Sequence, residues 1–255
     1  MNGRGFDTPR PPAVNALMTL LDLTLPTAAE NVALDEALLL AAEEGAGGEV
    51  LRLWRQPTPA VVVGAGGSVE IDVNRAACAA DGVPVVRRSS GGGTVLLDPG
   101  SLCVSVVLRI GPGLDTIPGA TAVVMGKLRA AVGAGMSDVV IAGSGDLAVG
   151  GRKLAGSAQQ RKRTHLLHHA SVLGPSADTR DRITRYLRRP EREPGYRAGR
   201  DHLDFLACVL SDDADLRRDV LAAWAPVGVY PNPPLGRVRE LVAEKYGRDE
   251  WNLRR

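Results

Sequence analysis

Apolar and polar positions along this chain fall into two regimes. Up to about residue 175, short apolar runs of β type dominate, broken by three stretches at helical spacing. From about residue 178 the pattern turns helical and charged. The first helical stretch opens at Thr27-Ala-Ala-Glu30, a capping-box form, and runs through NVALDEALLLAAEEG until Gly45 stops it. EVLRLWRQ (49–56) and AVVVG (60–64) read as strands separated by Pro57 and Pro59. DVNRAACAADG (72–82) reads as a helix closed by a glycine, and VPVVRR (83–88) as a strand entering a glycine cluster. TVLLD and SLCVSVVLRI give two more strands around Pro99-Gly100. A helix near 115–133 follows, then short strands near 137–142, 146–149 and 165–173. The tail reads as four helices: DTRDRITRYLRR, HLDFLACVLS, ADLRRDVLAAWA and GRVRELVAEKYG. Strands interrupted by helices and followed by a helical tail predict an α+β domain with a mixed, largely antiparallel sheet flanked by helices. Residues 1–18, rich in Pro, Gly and Asn, are expected to be a poorly ordered lead-in, 19–210 the main domain, and 211–255 a helical extension packed on it.

The 255 residues suffice for a closed core, and 44% apolar with 24% charged residues excludes wholesale disorder. No apolar run is long enough for a transmembrane helix, and the interrupted N-terminal stretch does not read as a signal peptide. Three widely spaced cysteines, Cys78, Cys103 and Cys208, argue against a disulfide framework or structural zinc and fit a cytoplasmic protein. A net charge of +2 gives no reason to expect nucleic acid. The cations are 27 arginines against four lysines, Lys127, Lys153, Lys162 and Lys245. A chain that uses arginine wherever either cation serves makes each lysine a candidate for work needing a compact ammonium.

Rossmann, Walker A, HExxH, GxSxG and EF-hand patterns are absent. Three other segments carry chemistry. Arg87-Arg88-Ser89-Ser90-Gly91-Gly92-Gly93-Thr94 lies between two strands, and consecutive glycines offer unhindered N–H groups for an anion or a close-lying ligand. Ser144-Gly145-Asp146 through Gly150-Gly151-Arg152-Lys153-Leu154-Ala155-Gly156-Ser157-Ala158-Gln159 sets a lysine between glycines, after a candidate metal ligand in Asp146. The plainer reading of that segment is a hairpin with its lysine in solvent. In His165-Leu-Leu-His168-His169-Ala-Ser171, strand alternation sends His168 and His169 to opposite faces, so they cannot share one zinc ion.

RRSSGGGTVLLDPG, then GDLAVGGRKLAGSAQ, then LLHHASVL resemble, in order and spacing, the lipoate-protein ligases of the biotin/lipoate protein ligase superfamily. Asn31 and Asp35 in the first helix fit that family's opening pattern, and the likeness covers about residues 20–210. The resemblance implies a catalytic domain like that of class II aminoacyl-tRNA synthetases. It implies that lipoate and ATP give an acyl-adenylate, from which a lysine of a lipoyl carrier domain takes the acyl group. The carrier would be of the 2-oxoacid dehydrogenase E2 or glycine cleavage H protein type, and a separate accessory subunit could take part. It further implies Lys153 as the catalytic residue, and Arg88, Ser90, Gly91, Gly92, Gly93, Thr94, Gly156, Ser157, Ala158 and His169 as substrate and adenylate binders. Asp146 would hold Mg²⁺ or order the nucleotide, and Val61 to Val63 would wall the acyl tunnel. The family's histidine before the loop aspartate is Leu97 here, its Asn-Asp pair is Gly145-Asp146, and its Arg-x-Gln is Ala65-Gly66-Gly67. Two alternatives stand beside the ligase: an ATP-independent octanoyl or lipoyl transferase using a cysteine thioester, and a non-catalytic binding subunit of a split ligase. The arginine-rich REPGYRAGRDH stretch would cover the site or meet an acidic carrier.

Overall fold

A computed structural model of the chain describes residues 18–254; the expected lead-in over residues 1–18 lies outside the described residues except for Met18, which is buried in the core. Seven strands form one sheet in the order β1-β2-β6-β10-β9-β8-β7. These are β1 (Thr19–Asp22), β2 (Val50–Trp54), β6 (Ser101–Arg109), β10 (His165–Leu173), β9 (Arg152–Arg161), β8 (Asp146–Val149) and β7 (Val140–Ala142). Only β1 and β2 run parallel in it. A smaller sheet has the order β4-β3-β5, with β3 (Ala60–Val63) parallel to β4 (Val85–Arg87) and antiparallel to β5 (Val95–Leu97). This is the α+β, largely antiparallel architecture expected from the sequence.

The helices bury the two faces of the large sheet. On one face α1 (Ala28–Glu43) and α8 (Leu235–Leu241) pack on Val50, Trp54, Cys103, Val107 and Leu167. On the other, α4 (Ile117–Gly133) and α7 (Asp213–Trp224) cover Leu102, Val104, Val106, Leu108, Leu166 and Val172. The period-two alternation of β6 and β10 accounts for this division. The predicted capping box starts α1: the Thr27 hydroxyl accepts from the Glu30 amide and the Glu30 carboxylate from the Thr27 amide. A third cluster joins β3 and β5 to α2 (Val69–Asp72), α3 (Arg75–Ala80), α5 (Ala177–Tyr186) and α6 (His202–Phe205).

The C-terminal segment returns to the small sheet. After α8 a π-helical turn (Val242–Tyr246) and α9 (Asp249–Asn252) bring Asn252 to the edge of β4, where its side-chain oxygen accepts from the Arg87 amide. Arg87 is buried, and its guanidinium donates to the carbonyls of Gly64, Gly67, Trp251 and Arg254. Two of the four lysines prove to be structural. Lys245 donates to buried Glu36 at 2.8 and 3.0 Å beneath the Trp251 ring, and Lys127 ties α4 to the Ala223 carbonyl at 2.8 Å.

HLDFLACVLS is not one helix. It ends at Phe205 because Leu206 to Val209 turn extended and pair, Ala207 donating to the Lys153 carbonyl and Val209 to that of Leu173. Cys208, expected in a helix, sits in this extended segment.

Candidate active site

A cavity of about 480 Å³ opens between the two sheets and is roofed by residues 188–206. Strands β8 and β9 bring the lysine motif to it. Gly150 and Gly151 turn the chain with φ of +54° and +69°, the left-handed pair that a two-residue hairpin needs. The hairpin of the plainer reading is therefore present, but its lysine is not in solvent. The Lys153 side chain is 25% exposed, and its Nζ lies 2.8 Å from Asp146 Oδ1. It lies flat over Gly156, where a Cβ would stand 2.8 Å from Nζ. Asp146 Oδ2 accepts from the Tyr196 hydroxyl at 2.8 Å, and burial beside that carboxylate holds the Tyr196 phenol well above its ordinary range.

The glycine loop faces the lysine motif across the cavity. Gly92, Gly93 and Thr94 line it, while Ser90 and Gly91 lie outside its wall. Among the described residues, the N–H groups of Gly91, Gly92 and Gly93 have no protein acceptor. Gly92 has φ +85°, and its carbonyl approaches Gly64 so closely that a Cβ there would stand 2.0 Å away. Two glycines are thus required for the loop to seat against β3.

Arg88 lines the cavity but spends its donors on the loop. Its Nε donates to Ser90 Oγ, and Nη2 to the carbonyls of Gly91 and Gly93 at 2.5 and 2.8 Å. Burial without a carboxylate partner pulls its pKa down to about 10. Arg88, expected among the adenylate binders, is a buried cation at the cavity wall that folds the loop around itself, with most of its N–H groups committed.

A second chain of bonds was not foreseen as a unit. The ion pair of Asp35 and Arg52, 2.6 Å long, is buried under α1, and Asp35 Oδ2 contacts Ser105 Oγ at 2.8 Å and His169 Nδ1 at 3.1 Å. The other ring nitrogen of His169 meets Ser90 Oγ at 2.6 Å. Burial pushes the Asp35 carboxyl up, but Arg52, His169 and Ser105 outweigh it and hold it below the usual range. The sequence signal was Asn31, Asp35 and Glu36 among the apolar positions of α1, all three of which prove to be buried. His168 points to the opposite face, buried with neither nitrogen bonded, and burial draws its pKa down to about 3.

The matched family model is the lipoyl protein ligase A/B catalytic domain, over residues 27–210. The chain belongs to this family. Its relatives include an Aeropyrum pernix protein provisionally named lipoate-protein ligase A, 37% identical over 64% of this chain and 60% of that protein's length. The octanoyltransferase LipM of Symbiobacterium thermophilum is 30% identical over 92% of this chain and 98% of its own. In fold, the chain is similar to a bi-partite lipoate protein ligase of Thermoplasma acidophilum, solved in a study with its E2 lipoyl domain. That likeness has a TM-score of 0.78 and 21% identity, covering 94% of this chain and 98% of that one.

Within this member of the family, Lys153, Asp146, Arg88, Gly92, Gly93, Thr94, Gly156, Ser157, Ala158 and His169 all line one cavity. Of the valines expected to wall an acyl tunnel only Val62 lines the cavity; Val61 and Val63 point into the third core cluster. Apolar lining comes instead from Trp54, Leu97, Cys103, Ala170, Leu173 and Phe205. Asp146 fits a lysine partner better than a metal ligand, because one oxygen is taken by Lys153 and the other by Tyr196. Among the described residues no three His, Cys, Asp or Glu side chains cluster as a metal site. No described helix is long and apolar enough to cross a membrane. Arg197, in the stretch expected to cover the site or meet an acidic carrier, is 4% exposed and stacked 4.9 Å over Phe205, so at this residue the stretch is a roof rather than a basic face.

Proposed function

We propose that this protein activates lipoate, or a related medium-chain acid, with ATP and passes the acyl group to a lysine of a lipoyl carrier domain. One observation carries this reading. Lys153 and a glycine loop with uncommitted N–H groups meet at a single, mostly apolar cavity whose one lining thiol, Cys103, is buried. The cavity suits an aliphatic chain with a polar head. The carboxylate of the acid attacks the α-phosphorus, a C–O–P anhydride forms and pyrophosphate leaves. The ammonium of Lys153 meets the charge that grows on the phosphoryl and carbonyl oxygens. The loop N–H groups hold the adenylate, and His169 keeps Ser90, and with it the loop, in place. A carrier amine then attacks the acyl carbon, the amide forms and AMP departs. The carrier is of the E2 or H protein type, and a second subunit is part of the reading, supported by the likeness to a bi-partite ligase.

The test is acid-dependent ATP–pyrophosphate exchange with lipoate and octanoate, followed by transfer to a purified lipoyl domain. Exchange and transfer support the reading. A second reading, direct octanoyl transfer between carriers, draws on the likeness to octanoyltransferase LipM. It needs an activated thiol, whereas burial raises the pKa of both Cys78 and Cys103. No exchange together with transfer from an acyl-carrier thioester would establish it instead.

A further inference from the structure

The segment from Arg188 to Leu206 belongs to none of the three sequence motifs, yet it is fastened to the hairpin that carries Lys153. Arg200 donates to the Gly151 carbonyl at 2.7 Å, Arg152 to that of Leu206 at 2.6 Å, and Ala207 to that of Lys153 at 2.8 Å. Within this strap Tyr196 is wedged between two surfaces. Its ring centroid lies 5.1 Å from that of Phe205, and its edge lies against Gly143, where a Cβ would stand 3.4 Å from it. From there its hydroxyl reaches Asp146 Oδ2, leaving Oδ1 for Lys153.

We propose that Tyr196 is a positioning residue for Lys153, acting through Asp146, so that the seating of the strap sets where the ammonium stands. A carboxylate on a short side chain turns readily about its last torsion. Left alone, Asp146 offers both oxygens to the ammonium and draws it away from the cavity. With the Tyr196 hydroxyl on Oδ2, a single acceptor remains and the long, flexible lysine has one anchor point. The strap also walls the cavity through Pro194, Phe205 and Leu206, so closing over a ligand and aligning the lysine become one event. The proposal rests on Lys153 being the group that meets the reacting oxygens.

The experiment compares Tyr196→Phe, Asp146→Asn, their double variant and Phe205→Leu in acid-dependent ATP–pyrophosphate exchange. Each protein is also labelled with [15N]lysine, which gives four side-chain signals from this chain; Lys153→Arg assigns the relevant one. Tyr196→Phe keeps the ring contacts and is expected to lower kcat about tenfold, with KM for acid and ATP within about twofold, because an aligning interaction is lost while binding is kept. It should shift the Lys153 signal alone. Asp146→Asn should lower kcat about a hundredfold, and the double variant should be no worse than Asp146→Asn, since the tyrosine acts only through that carboxylate. Phe205→Leu, which trims the cavity wall but keeps the strap's hydrogen bonds and the Tyr196 hydroxyl bond, should raise KM for the acid and leave the Lys153 signal in place. An unmoved Lys153 signal in Tyr196→Phe, multiplied losses in the double variant, or identical behaviour of Tyr196→Phe and Phe205→Leu would overturn the proposal. A wild-type protein without any exchange would overturn the activation reading instead, and the lysine spectra would still decide the coupling.

Discussion

A single methyl group at Gly156 tests the reading most directly. Gly156 sits on β9 with no left-handed φ, so alanine meets no backbone strain, and the exchange lowers the entropy of the unfolded chain. Its Cβ would stand 2.8 Å from Lys153 Nζ and 3.0 Å from Cε. Ordinary contact begins at 3.4 Å, so the ammonium must retreat by about 0.6 Å or more, toward Asp146 or out of the cavity. Displacements on this scale in a positioning group cost about a hundredfold in rate, equivalent to about 2.7 kcal/mol of barrier. Gly156→Ala should therefore keep its thermal midpoint within a few degrees of wild type, or raise it, while acid-dependent pyrophosphate exchange falls about a hundredfold. Exchange within threefold of wild type in a folded protein would refute the idea that the placement of this lysine matters.

Lys153→Arg conserves charge and follows the chain's own preference, but a planar guanidinium is broader than the ammonium that lies over Gly156; acyl transfer should be abolished with the circular dichroism spectrum unchanged. His168→Leu removes a buried imidazole with no partner and should leave stability at pH 7 equal or about 1 kcal/mol higher. In the wild type, unfolded His168 takes up a proton below about pH 6.5 and the folded one only near 3. Stability is thus lost as pH falls through that window, and the variant's midpoint should fall less steeply between pH 6.5 and 3 in thermal melts. Glu43 accepts from the amides of Arg163, Thr164 and His165, chiefly that of Thr164, which together lower its pKa to about 2. Its contribution is complete above about pH 4.5 and lost toward pH 2, so Glu43→Gln should flatten the acid limb of a pH–stability curve, and an unchanged limb would discount these bonds.

The parts that the sequence made legible are those whose apolar runs or caps mark a buried element. β6 and β10 read as mostly apolar runs because each lies between two helical layers, and α1 and α4 open at threonine caps. β9 was hidden because its residues Arg152–Arg161 face the cavity and the domain edge, with glycine, alanine and glutamine in place of an apolar stripe. Gly156 is a strand residue over which a lysine lies. The HLDFLACVLS helix was lost to pairing with β9 and β10, a tertiary choice no local propensity contains. In the candidate site, the glycine loop, Lys153 and His169 were visible as motifs. Asp35 showed as part of the family's opening pattern in the first helix, without its partners Arg52, Ser105 and His169. Tyr196 gave no local signal, since its meeting with Asp146 spans 50 residues and depends on how the strap lies.

Arg87 joins the amide-bearing edge of β4, the Gly64–Gly67 turn and the final residues of the described chain through one guanidinium and one backbone amide. Its carbonyl in turn accepts from the Trp251 indole at 2.8 Å. None of these three segments can open without leaving a buried cation short of acceptors, so fraying of the C-terminal turn and opening of the glycine-loop root are one cooperative event. Amide protons at residues 64–67 and 251–252 then share a single opening free energy. The stability of a pocket loop is set in part by a turn more than 150 residues away in sequence.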